Sequence, residues 1–143
     1  MLAVLLVLPG ISHATLGGLA ASVQSDRKAM AAAEVVTAQG KGFTVQEFTT
    51  PSTTVREYLS SDGIVFGIAW NGLVHPDLTP LLGSYAAEYQ NALQKTPRRP
   101  GRRAQKVQTS KVVVEKWGHM RNLQGRAYAP DLVPQGVSID EIK

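Results

Sequence analysis

The densest charge in the chain is the stretch KTPRRPGRR at 95–103, with one more lysine close behind it. Lys95, Arg98, Arg99, Arg102, Arg103 and Lys106 are six cations with no acidic residue among them. Ammonium and guanidinium groups at this density attract phosphate, carboxylate or sulfate. The formal charge of +4 lives here: without these six, the 15 Lys and Arg would fall below the 11 Asp and Glu. The basic character therefore belongs to one loop and not to the whole domain. Three readings of that loop compete. A nucleic-acid arm would make salt-sensitive phosphate contacts, but no aromatic residue is interleaved to stack on bases, so nucleic acid is set aside. A solvated connector between two elements needs no ligand at all. Attraction to an anionic surface contributes about 1 kcal/mol per basic residue, or at most about 6 kcal/mol for the six. That suits reversible association and falls short of firm anchoring.

The rest of the chemical inventory is thin. The chain has no cysteine, which removes disulfides, thiol catalysis, thiolate zinc sites and iron–sulfur chemistry. Of the three histidines, His13 lies in the N-terminal apolar run; His75 and His119 are far apart and make a poor zinc set. No metal site and no cofactor are expected. Glu47, Glu57, Asp62, Asp77 and Glu115 have no spacing that demands a catalytic pair. Glu47 and Arg56 face each other across an expected hairpin, which reads as a surface ion pair. Leu82-Gly83-Ser84-Tyr85 falls inside an expected helix and lacks the strained turn of a serine nucleophile. There is no dinucleotide fingerprint and no P-loop. Trp70, Tyr85, Tyr89, Trp117 and Tyr128 could line a pocket, although aromatic residues at such positions read first as core.

These residues need elements to hold them. Residues 1–14, MLAVLLVLPGISHA, form an apolar run ending in Ser12-His13-Ala14, with Pro9-Gly10 just before. Small residues at the last and third-last positions resemble the cleavage site of a secretory signal peptide. No Lys or Arg precedes the run, which departs from that pattern. The run is also short of the roughly 20 residues a membrane span needs. The remaining residues, 15–143, suit one domain. An alanine-rich stretch at 22–39 predicts a weakly packed N-terminal helix. Three strands follow at 43–49, 54–60 and 64–70, forming a meander. In the third, Ile64, Phe66, Ile68 and Trp70 fall on one face and Val65, Gly67 and Ala69 on the other, so a helix is expected to lie close over the small face. That helix begins at Asp77 or Thr79 with Pro80 in its first turn and carries a stripe of Leu78, Leu81, Leu82, Tyr85, Tyr89 and Leu93. Gly83 inside it suggests a close backbone contact. After the basic loop at 95–106, two strands at 107–117 and 120–129 make a hairpin around Gly118-His119. Residues 129–143 form an extended tail. The fold class is α+β: an antiparallel sheet of about five strands, one packed helix and a weaker N-terminal helix.

The order of several short pieces carries a resemblance. These are Thr15-Leu16-Gly17-Gly18, Ser22-Val23-Gln24-Ser25-Asp26, Val55-Arg56-Glu57-Tyr58 and Gly63-Ile64-Val65-Phe66-Gly67-Ile68-Ala69-Trp70. They continue through Pro76-Asp77-Leu78, Leu81-Leu82-Gly83-Ser84-Tyr85, Gly118-His119-Met120-Arg121, Gly125-Arg126-Ala127-Tyr128 and the run from Gly136 to Ile142. The sequence resembles an exported bacterial family of unknown function, domain-of-unknown-function family 2844, over nearly all of 15–143. The resemblance implies export and one small domain, and it implies no activity. The expectation is a non-catalytic periplasmic or secreted protein, an envelope-associated binding or interaction module whose partner is another envelope protein or an anionic polymer. The alternative is a binder of anionic glycan or lipid through the basic loop. Behind both stands a small periplasmic hydrolase. No membrane span is expected in the mature chain.

Overall fold

The computed structural model describes residues 16–19, 35–101 and 103–143. Most of the expected N-terminal helix, the expected signal segment and Arg102 lie outside those residues. Among the described residues seven strands form one antiparallel sheet: β1 Val35–Gln39, β2 Phe43–Thr49, β3 Thr53–Ser60, β4 Val65–Gly72, β5 Gln105–Gln108, β6 Val113–His119 and β7 Asn122–Tyr128. Their spatial order is β1-β2-β3-β4-β7-β6-β5. The mixed α+β class holds, and the strand count rises from five to seven. β1 takes the end of the stretch read as helix, where Val35, Val36 and Thr37 bring β-branched side chains after the alanines. The second addition comes from the stretch read as one strand at 107–117. Thr109 interrupts it: its hydroxyl accepts from the Lys111 and Val112 amides, and its own amide donates to the Val112 carbonyl at 2.9 Å, closing a tight turn. The β6–β7 turn is Met120-Arg121, beyond the expected Gly118-His119.

The expected single helix is also divided. α1 runs Leu78–Leu82, a 3-10 turn covers Gly83–Tyr85, and α2 runs Ala86–Lys95. Asp77 caps α1, accepting from the Thr79 amide at 3.0 Å. Gly83 ends α1 at φ 53°, a left-handed conformation that suits glycine and cannot continue a helix. The helices bury Leu78, Leu81, Leu82, Ala86 and Tyr89 against Phe48, Val55, Val65, Ile68, Trp70 and Val114 on one sheet face.

The other face is closed by the C-terminal tail. Tyr58, Phe66, Ala69, Val113, Tyr128 and Ile142 form a second core there. The tail crosses as two 3-10 turns, Pro130–Leu132 and Ile139–Glu141, joined by irregular chain. The expected sorting of β4 holds for Ile68 and Trp70 against Gly67 and Ala69, and is reversed for Val65 and Phe66. Tyr58 pairs with Gly67 while Leu59 pairs with Val65, so Phe66 is an extra residue in the ladder. That bulge puts Val65, Ile68 and Trp70 on the helix side and Phe66 and Ala69 on the tail side. The small residues therefore receive the tail and not the helix: a side chain on Gly67 would collide with Ile142.

Candidate anion-binding site

The basic loop begins where α2 stops. Lys95 is the last residue of α2, and Thr96 returns its hydroxyl to the Ala92 carbonyl at 2.8 Å. Pro97 and Pro100 prevent the helix from resuming, and Gly101 turns the chain at φ 79°. Lys95, Arg98, Arg99 and Arg103 are exposed, and no carboxylate among the described residues lies within 4 Å of any of them. The site residue Arg102 lies outside the described residues.

Lys106 differs from the other candidates. It sits on β5 and donates to Glu115 Oε1 at 3.2 Å. Arg126 Nε donates to Glu115 Oε2 at 2.6 Å, and Arg126 Nη1 to the Ile139 carbonyl at 2.9 Å. Burial alone would push the Glu115 carboxyl up, but the hydrogen bonds from Arg126 and Lys106 outweigh it and hold Glu115 below the usual carboxylate range. This network ties β5, β6, β7 and the tail together. Lys106 is thus partly spent on structure.

Three clefts meet at Ala104 and Gln105. One of about 480 Å³ lies between the end of α2 and β5, lined by Arg98, Arg99 and Lys106. The second, of about 300 Å³, holds His75, Arg103, Lys116 and Trp117. The third, of about 350 Å³, holds Lys106, Glu115, Lys116, Trp117 and Arg126. The sequence marks Trp117 only as a possible pocket-lining aromatic and gives Lys116 and Arg126 no role beside the loop. Alternation in VVVEKW is hidden by three successive valines, each of them buried, so no pattern marks which side chains emerge beside 95–106. Lys116 reaches over the Tyr89 ring, 5.8 Å from its centroid.

The remaining candidates are placed elsewhere. Glu47 and Arg56 pair as expected, Oε2 to Nε at 2.6 Å. Trp70, Tyr89 and Tyr128 are core; Tyr85 and Trp117 are half-buried. His75 Nδ1 accepts the Trp70 indole N–H at 3.0 Å. Burial, and then the charge of Lys116, lowers the His75 pKa, so its ring is neutral with the proton on Nε2. Among the described residues no three His, Asp or Glu side chains gather as a metal set. Ser84 is exposed in the 3-10 turn, and no helix among the described residues is long and apolar enough to cross a membrane.

Fold and site together define a small antiparallel α+β domain with a cationic sheet edge. A family model described as "Protein of unknown function (DUF2844)" matches residues 12–142, and the chain belongs to that family. No curated protein and no solved structure matches it.

Proposed function

We propose that this is a non-catalytic binding module of the bacterial envelope, periplasmic or secreted, that attracts anionic polymer or headgroups through its 95–106 end. The apolar segment 1–14 with its Ser12-His13-Ala14 ending supports export. One observation carries the anionic preference: Lys95, Arg98, Arg99 and Arg103 all stand exposed, and among the described residues no carboxylate lies within 4 Å of them. Cations left unpaired in this way raise the local concentration of anions and do little for stability. The test is adsorption to anionic envelope polymer and to anionic vesicles at low and moderate salt. The quadruple change of Arg98, Arg99, Arg102 and Arg103 to Ser should abolish adsorption and leave the fold intact. Adsorption that ignores both salt and the four changes would sink this reading. A second form, docking on another envelope protein, is favoured by Leu73 and Val74, adjacent and about half exposed at 50% and 48%. A pull-down retained by the quadruple variant and lost with Leu73→Ser and Val74→Ser would select it.

A further inference from the structure

We propose that the notch beside β5 takes an acidic sugar, a uronic-acid unit of a polysaccharide, with Trp117 as the stacking platform. This rests on the reading of the 95–106 end as anion-attracting and names the ligand class for it. β5 pairing ends at Gln105 with Lys116, while β6 runs on through Trp117, Gly118 and His119, paired with β7 on its inner side and with no strand on its outer side among the described residues. The sheet edge is therefore stepped, and the two smaller clefts open on either side of the step. Trp117 lines both. Its indole N–H donates to Gln124 Oε1 at 3.2 Å, and Gln124 in turn donates to Asn122 Oδ1 at 3.0 Å, which fixes the ring. The other tryptophan, Trp70, is 2% exposed and belongs to the core. Trp117 is the half-buried one of the two, and it lies beside Lys116, Arg103 and Arg126 in these clefts.

A pyranose has one face of C–H groups that packs on an aromatic ring. A uronic acid adds a carboxylate at the ring's rim, within the field of Lys116 and Arg103. A lipid headgroup supplies the charge and no flat apolar face. At about 300 and 350 Å³ the clefts sit at the small end of ligand pockets, a size for single sugar units along a chain. The recognition is then division of labour: the loop attracts the polymer, and Trp117 selects sugar over other polyanions.

Because the chain has two tryptophans and Trp70 is buried, the iodide-accessible part of the intrinsic fluorescence reports Trp117. Tetragalacturonate titrated into the full chain should shift Trp117 emission and shield it from iodide. Trp117→Ala, checked by circular dichroism, should weaken binding about tenfold, the loss expected for about 1.4 kcal/mol of stacking. Dextran sulfate should bind through charge alone and lose little in that variant. If tetragalacturonate and dextran sulfate bind alike, with no change in Trp117 emission, the sugar inference is overturned while the loop reading stands. Binding to phosphatidylglycerol vesicles but not to tetragalacturonate overturns it in favour of a lipid surface. No binding to any of the three overturns both. Should the alanine variant fail to fold, the emission and iodide measurements on the unaltered chain decide alone.

Discussion

Trp70 donates an indole N–H hydrogen bond to a histidine whose charge state the fold controls. His75 has an ordinary pKa near 6.5 in the unfolded chain, lowered in the fold by burial and by Lys116. Below that pH the unfolded chain binds the proton and the native chain resists it. Stability therefore falls as pH drops from about 6.5 towards the folded value, and levels off beneath it. Urea titrations at pH 7.5, 6 and 5 should show this decline, and His75→Asn should flatten it relative to the unaltered chain. Equal slopes for both proteins would exclude His75 as the cause. Glu115 acts in a separate window. Its folded pKa is depressed below the usual 4.5, so its contribution is complete above 4.5 and is lost as pH falls through the folded value. Glu115→Gln should cost about 2 kcal/mol at neutral pH, because Arg126 and Lys106 both lose an ionised acceptor. The same variant in 1 M salt should lose nearly as much, since the short Arg126 bond is only 18% exposed on either side.

At the scale of elements, one close contact constrains the middle of the sheet. Gly125 on β7 lies opposite Trp70 on β4, and an added methyl would run into the indole and the Glu115 carbonyl. Gly125→Ala should destabilise by about 1–3 kcal/mol, the range for overpacking; an unchanged melting midpoint would show that the indole can move aside. Much of this architecture is legible in the sequence. The β2–β3–β4 meander is there in alternating β-branched residues and strong turns, and so is the Asp77 cap. The missing parts have physical causes. Phe66 is an added residue in a ladder, and a bulge moves side chains between faces without any change in residue type. Gly83 reads as a tolerated flaw in a helix until its positive φ shows it to be a stop. β5 is four residues long with only Val107 buried, too brief for any pattern to emerge from its surroundings. The basic loop is obvious because charge is visible in sequence; Trp117 beside it is not, because strand register decides which aromatic reaches the edge.

For the molecule as a whole, the tail is a structural layer. Ile142 is fully buried, and the Tyr58 hydroxyl both donates to the Lys143 carbonyl at 2.8 Å and accepts from its amide at 3.1 Å. Removing 130–143 should uncover Tyr58, Phe66, Val113 and Tyr128 together, raising the fluorescence of an apolar dye and driving self-association in gel filtration. A shortened chain that stays monomeric and dark to the dye would mean the tail is dispensable cover. The strand order has a consequence in time. The centre of the sheet is the β4–β7 junction, where Gly67 meets Tyr128 from the far end of the chain. Meander and hairpin can each form locally, but neither edge-to-edge join nor second core exists until they find each other. Closing that long loop makes docking the slow step of folding. Until it happens, β4 presents an unpaired apolar edge, and any helper that shields nascent chains would find its target there. The basic loop, lying within the long connection, can change length with little effect on that rate.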